Sequence, residues 1–243
     1  MAKRLENKVA VVTGASRGIG RASALALADE GAHVVVAART ADDLDSLARE
    51  IETRGVKALP VAGDLSQAAD VNRLAEAAEG TFGRVDILVN NAGVGKFGTL
   101  AELSVEEYDW MMNANMRATF LCTKAFLPGM LEREEGWVVF VGSVAGLNGL
   151  PNETVYCASK HAQYGFARAL DHETRPHNVK VTYLAPGGVD TYFAFGTGRT
   201  EGDPKLKEYL DSEDVAQALI FAVTQPPKSR VFLIGMRPMR EPL

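Results

Sequence analysis

The apolar run Val9-Ala10-Val11-Val12 passes directly into Thr13-Gly14-Ala15-Ser16-Arg17-Gly18-Ile19-Gly20, and an alanine-rich stretch over 21–29 follows. A buried-type strand, a three-glycine turn and a helix in immediate succession leave few folds open. Gly14, Gly18 and Gly20 allow a tight turn and a close approach of the backbone to a ligand. A helix beginning near Gly18 offers free N–H groups and the positive end of its dipole, which suits the pyrophosphate of a nucleotide. Taken alone, Gly-x-x-x-Gly-x-Gly also fits an ordinary strand-to-helix turn. Its place between this strand and this helix points to the nucleotide. The chain has no Gly-Lys-Ser or Gly-Lys-Thr, which argues against a phosphate-loop ATPase or GTPase.

Short apolar runs alternate with helical patterns along the rest of the chain. Strands are expected over 9–13, 33–38, 58–62, 87–90, 137–142, 180–185 and 230–234, and helices over 19–29, 41–54, 68–82, 104–131, 155–174 and 212–224. That alternation predicts repeated βαβ units, hence an α/β fold of Rossmann type with a doubly wound parallel sheet of about seven strands and helices on both faces. A chain of 243 residues suits one such domain with a sizeable core, and no repeat or composition break divides it. Thr40 has the character of an N-cap, with Asp42 and Asp43 in a first turn that favours acids. Those two acids are therefore assigned to helix stability rather than to a ligand.

Hydrophobic residues at 47% and charged residues at 23% are ordinary for a soluble globular protein. A net charge of −5 lacks the basic footprint of a nucleic-acid partner. The first eight residues hold no apolar signal region and no run approaches the length of a membrane span, so no membrane partner and a cytoplasmic location are expected. Cys122 and Cys157 make no disulfide framework. His33, His161, His172 and His177 are scattered without metal-ligand spacing, so no metal is expected.

Tyr156 and Lys160 stand four residues apart, and on a helix that spacing stacks a phenol and an ammonium on one face. A phenol near its usual pKa of about 10 exchanges protons poorly at neutral pH, and a neighbouring cation favours the phenolate. Ser143, thirteen residues upstream of Tyr156, follows the run Trp137-Val138-Val139-Phe140-Val141. It would stand at the carboxyl edge of the sheet, where open α/β folds bind ligands. Cys157 is turned about 100° from Tyr156 on such a helix and would pack behind the site.

These residues together resemble the short-chain dehydrogenase/reductase family over about residues 7–191. Thr13 to Gly20 fits its glycine motif, Asn90-Asn91-Ala92-Gly93 its Asn-Asn-Ala-Gly, Tyr156 to Lys160 its Tyr-x-x-x-Lys, and Pro186-Gly187 with Thr191 its Pro-Gly…Thr. Asn115 matches the helix asparagine that completes the family's catalytic tetrad with Ser143, Tyr156 and Lys160. The resemblance implies an NADP(H)-dependent oxidoreductase interconverting a carbonyl and an alcohol, assembled as a homo-oligomer, dimer or tetramer. Alternatives within reach are a reductase of β-oxoacyl thioesters and a non-catalytic NADP-binding sensor or scaffold. Residues 1–95 would mainly bind cofactor, 96–191 carry catalysis, 192–211 cover substrate and 212–243 supply a closing helix and strand.

Cofactor choice follows from charge. A residue about 20 positions past the glycine turn faces the adenosine ribose, and an acid there would repel a 2′-phosphate. The chain has Ala38 at that point, with Arg39 next and Arg17 in the turn. Two guanidiniums and no acid suit NADP rather than NAD; the plainer alternative makes Arg39 a solvated arginine and Arg17 a turn cap. By resemblance Asp64 and Leu65 meet the adenine, Gly14, Ser16, Gly18, Ile19 and Gly20 cradle the pyrophosphate, and Asn91, Ala92 and Gly93 line the cofactor. Thr191 and the backbone at Val189 would hold the nicotinamide carboxamide, Lys160 would hold its ribose, and Pro186, Gly187 and Tyr156 would also meet the cofactor. In the same reading Tyr156 is the general acid/base, Lys160 holds the ribose and depresses the phenol pKa, Ser143 orients the carbonyl oxygen, and Asn115 anchors a relay water. The alternative for Asn115 is a polar residue satisfying backbone. Tyr192, Phe193 and Phe195, in a glycine-containing stretch after Thr191, are expected to form a mobile substrate lid over 192–210.

Overall fold

The computed structural model describes residues 3–240. Its core is a single sheet built from β1 (Val9–Thr13), β2 (His33–Ala38), β3 (Ala58–Ala62), β4 (Ile87–Asn90), β5 (Gly136–Val141), β6 (Val179–Pro186) and β7 (Leu233–Met236). The spatial order is β3-β2-β1-β4-β5-β6-β7, and every pairing is parallel. Parallel strands need long crossovers, and the helices α1 (Gly18–Asp29), α2 (Ala41–Glu52), α3 (Ala68–Phe82), α4 (Val105–Met112), α5 (Ala118–Glu132), α6 (Thr154–Thr174) and α7 (Ser212–Val223) supply them. This is the Rossmann-type doubly wound sheet.

Two hydrophobic layers lie on opposite faces. Ala10, Val12, Val34 and Val36 point into a layer with Leu27 of α1, Leu44 of α2 and Leu219 of α7. Val9, Val11, Val35 and Ala37 point into the other, with Leu74 of α3, Phe126 of α5 and Leu170 of α6. The period of two along each strand fills both layers, which is why these strands read as unbroken apolar runs. On α2 the buried Leu44, Leu47, Ala48 and Ile51 follow the helical period against the first layer. At the amino-terminal edge of the sheet, fully buried Asp86 accepts a bond from the Val9 N–H at 2.9 Å and is paired with Arg84, while Lys8 and Arg84 both reach Glu135.

Three expectations need correction. The span 104–131 is not one helix: α4 and α5 are separated by a π-helical turn, Asn113–Arg117, in which Thr119 and Gln163 side chains satisfy the Asn115 carbonyl at 2.7 and 2.8 Å. A periodicity reading cannot see one inserted residue whose carbonyl is bonded from another element. The last strand is Leu233–Met236 rather than 230–234, because its register is set by pairing Tyr183 with Leu233 and Pro186 with Met236. Thr40 holds the N-cap position of α2 but its hydroxyl makes no capping bond. Ser104, by contrast, forms a full capping box with Glu107 at the start of α4.

Candidate active site

The strand order reverses at β1, with β2 and β3 on one side and β4 on the other. A crevice opens outside the carboxyl ends of strands at such a switch point. The turn after β1, the Asn-Asn-Ala-Gly segment after β4, Ser143 after β5 and Pro186 at the end of β6 all meet there. They line one cavity of about 890 Å³, which also takes in Ala38, Arg39, Asp64, Leu65, Tyr156, Lys160, Val189 and Thr191.

The glycine turn is fixed by close contact rather than by looseness. Gly14 has φ 63°, and a Cβ there would lie 2.8 Å from the Ala92 Cα; one on Gly20 would lie 2.3 Å from the Gly14 carbonyl oxygen. Asn91 locks the same turn, its Nδ2 donating to the Thr13 and Gly14 carbonyls at 2.9 and 3.1 Å. The Thr13 hydroxyl accepts from the Asn91 and Ala92 N–H groups. Asn91 thus braces the strand-to-helix turn from the next strand. Gly18 also faces Thr191, whose Cγ2 would be 3.2 Å from an added Cβ. Arg17 occupies the N-cap position of α1 without a capping bond, and its guanidinium lies 5.7 Å from the Tyr192 ring centre.

In the part of the cavity expected to take the adenosine, Arg39 is exposed and Leu65 is buried. Asp64 Oδ1 accepts from the Ser66 N–H and hydroxyl at 3.0 and 2.8 Å, so one carboxylate oxygen is engaged in an Asx turn. Asp43 lines the cavity beside Arg39 and Thr40, so its assignment to helix stability alone is incomplete. The first turn of α2 faces the crevice, which the helix dipole argument could not reveal.

Around the phenol, Ser143 is 9% exposed, Tyr156 7%, Lys160 3% and Asn115 0%. Burial pushes the Tyr156 phenol well above its ordinary pKa, partly offset by a Ser143 side-chain hydrogen bond, with Glu153 raising it and Arg199 lowering it electrostatically. Burial also pulls the Lys160 ammonium down to about 8. Lys160 Nζ lies 5.8 Å from the Tyr156 ring centre and donates to the Val141 carbonyl at 3.3 Å. The expectation that Lys160 depresses the phenol is therefore not met in the protein alone. The cation lies within reach of the ring but bonds a carbonyl, and desolvation outweighs it.

Asn115 has its groups filled by protein. Its Oδ1 accepts from the Val94 N–H at 2.7 Å, its Nδ2 donates to the Val94 carbonyl and to Ser159 Oγ at 3.0 and 2.9 Å, and its carbonyl is bonded as described. It ties the loop after β4 to α6. Cys157 is buried beside Met111 and Val155, and burial raises its thiol pKa.

Apart from Phe193, which the sequence places in the expected lid, several residues around the phenol carried no sequence signal. Phe97 and Phe193 stand 5.8 and 5.6 Å from the Tyr156 ring, centre to centre. Trp110, Leu150, Glu153, Arg199 and Tyr209 complete this half of the cavity. Tyr183 of β6 is fully buried beneath the site: the Ser143 N–H reaches its hydroxyl at 3.4 Å, and that hydroxyl donates to the Lys160 carbonyl at 3.2 Å. Only their meeting in space marks them. Of the expected lid, Phe193 faces the phenol while Tyr192 is exposed. The segment is bonded to the loop after β4, with the Phe97 N–H donating to the Thr197 carbonyl and the Thr197 hydroxyl to the Gly95 carbonyl, both at 2.7 Å.

The sequence profile of the short chain dehydrogenase family matches residues 8–201. The chain belongs to that family of oxidoreductases. An uncharacterized oxidoreductase of Staphylococcus aureus is 36% identical over 235 residues, spanning 97% of this chain and 99% of the relative. An alcohol dehydrogenase of the archaeon Thermococcus sibiricus, solved with 5-hydroxy-NADP, is 35% identical with a TM-score of 0.90, covering 97% of this chain and 98% of that one. A short chain dehydrogenase/reductase of Burkholderia phymatum, solved with NAD, is 32% identical with a TM-score of 0.86, covering 96% and 89%. Among the described residues, no helix is long and apolar enough to cross a membrane.

Proposed function

We propose that this chain is an NADP(H)-dependent oxidoreductase that interconverts a carbonyl and an alcohol, with Tyr156 exchanging the proton. The observation that carries it is the convergence of Ser143, Tyr156 and Lys160, all buried, on one cavity that runs back to the glycine turn. A dinucleotide fits this cradle on a steric ground: Gly14 and Gly20 leave no room for a Cβ, so the backbone presents bare N–H groups at the start of α1. Bound there, the nicotinamide supplies or accepts a hydride. Every other task falls to the chain.

The Tyr156 phenol is protonated at neutral pH and so has a proton to hand to an oxygen on which negative charge develops. Burial makes it a weaker acid, and the Ser143 hydrogen bond and the Arg199 charge work against that shift. Ser143 supplies a hydroxyl donor at the same place, which stabilises that charge and orients the oxygen. With a pKa near 8 the Lys160 ammonium is charged at neutral pH, and it supports the phenolate when the proton must be removed in the oxidative direction. Asn115 and Tyr183 act through others, bracing α6 and Ser143.

NADP is preferred over NAD in this reading. Arg17 and Arg39 line the cavity and Ala38 supplies no acid at the end of β2, although Asp43 and Asp64 also line it and oppose the two guanidiniums. The Thermococcus sibiricus relative carries an NADP derivative and the Burkholderia phymatum relative carries NAD, so the charge pattern of this chain is the deciding argument. Tyr156→Phe tests the proposal. NADPH binding, read by nucleotide fluorescence, stays near the native value, and turnover of a carbonyl panel falls by about 10²–10⁴, the usual contribution of a positioned acid/base. A variant that retains a tenth of native turnover removes Tyr156 from the role.

A further inference from the structure

The half of the cavity around the phenol is walled by rings, and one guanidinium stands among them. Arg199 lies 5.7 Å from the Phe193 ring centre and 5.2 Å from that of Tyr209, and its Nη1 donates to the Val189 carbonyl at 2.9 Å. Phe193 in turn packs on the Tyr156 ring. Phe193 therefore packs against both the guanidinium and the phenol ring, and the Arg199 charge is near enough to lower the phenol pKa. Two rings and a carbonyl hold Arg199 in place, but none of them neutralises it, and among the described residues it has no ion pair. A guanidinium carries five N–H donors in a fixed plane, and only one is bonded to protein here. Arg199 lines the cavity, and among the described residues its other donors are not bonded to protein.

We propose that Arg199 binds a carboxylate of the substrate, so that the natural substrate is an oxo acid, or the matching hydroxy acid, whose carbonyl and carboxylate are separated by an apolar spacer about the size of an aromatic ring. This rests on the reading of Tyr156 as the proton-exchanging group. The rings of Phe97, Phe193 and Tyr209 fit the spacer, and the planar donors of Arg199 match a carboxylate edge to edge. Arg17 and Arg39 lie at the glycine-turn end and are taken by the nucleotide reading. Glu153 lines the same cavity from the α6 side and opposes an anion close to the phenol. The carboxylate must therefore be directed along the Phe193 side, toward Arg199.

The probe pair is 4-acetylbenzoate and its methyl ester, which differ in charge and share the ketone. With NADPH, the native protein should favour the acid by about ten- to a hundredfold in kcat/KM, the usual range for a charge-assisted contact. Arg199→Leu and Arg199→Gln should both bring the acid-to-ester ratio toward one, and the glutamine variant keeps a donor for the Val189 carbonyl if the leucine variant fails to fold. A native ratio near one, or equal losses on acid and ester in the variants, overturns the proposal and makes Arg199 a loop clamp. Should neither ketone turn over, the wider carbonyl panel tests the carbonyl reading, and calorimetry of 4-acetylbenzoate on the NADP⁺ complex decides the anion site alone. Tenfold weaker binding in Arg199→Gln supports the anion site; equal binding, or none to the native protein, overturns it.

Discussion

Lys160 is a buried ammonium whose fold-imposed cost can be measured directly. Its pKa falls from 10.5 to about 8 because burial disfavours the charged form. At 1.36 kcal/mol per unit, holding that charge in the fold costs about 3 kcal/mol at pH 7. The sign is set by proton count. Between pH 8 and 10.5 the unfolded chain holds a proton on this lysine that the folded chain has lost, so stability rises with pH across that window. Lys160→Met replaces the ammonium by an apolar chain of similar volume, which removes the penalty and also the bond to the Val141 carbonyl at 3.3 Å. Losing that bond costs about 1 kcal/mol, which leaves a net gain of about 2 kcal/mol at pH 7. For a domain of this size that raises Tm by roughly 4–8 °C. Calorimetry without nucleotide would show the variant melting above the native protein at pH 7, with the advantage shrinking toward pH 10, while NADPH affinity falls. A variant that melts lower at pH 7, or an advantage independent of pH, would refute the claim that desolvation dominates this site.

Four other outcomes follow from the same geometry. Replacing Ala38 by Asp and Arg39 by Leu should weaken NADPH and improve NADH by about ten- to a hundredfold, read by titration of each nucleotide; native NADH binding as tight as NADPH refutes the charge argument. Gly20→Ala forces a Cβ to 2.3 Å from the Gly14 carbonyl, so nucleotide binding should be lost together with several degrees of Tm. Asp86→Ala leaves the Val9 N–H without its fully buried acceptor while Arg84 keeps Glu135, and should destabilise by about 1–3 kcal/mol in denaturant unfolding, with turnover of the folded protein unchanged. If 192–210 is a lid, hydrogen exchange over 192–198 should slow on adding NADPH; full protection without nucleotide makes it a fixed wall.

The strands were legible because a parallel sheet buried on both faces demands unbroken β-branched runs, and Val9–Thr13 or His33–Ala38 can be little else. The glycine turn was legible because Gly14 and Gly20 answer a steric demand that no other residue meets. Tyr156 and Lys160 were legible because four residues on one helix fix a spacing without help from the rest of the chain. The residues that shape the substrate half were not. Phe193 was picked out only as part of a lid after Thr191. Phe97, Arg199, Tyr209 and Tyr183 carry nothing local that distinguishes them from ordinary core or surface side chains, and it takes three separate segments of the chain to bring them together. The direction of the pKa shifts was equally hidden, since burial is a property of the assembled layers: the spacing of Lys160 and Tyr156 promised a cation stabilising a phenolate, and packing made desolvation the larger effect. Sequence by itself determined the βαβ order, the glycine turn after β1 and the one-face spacing of Tyr156 and Lys160, each a matter of local geometry. Which charge and which rings face the phenol was decided only when chain-distant segments closed over the switch point between β1 and β4.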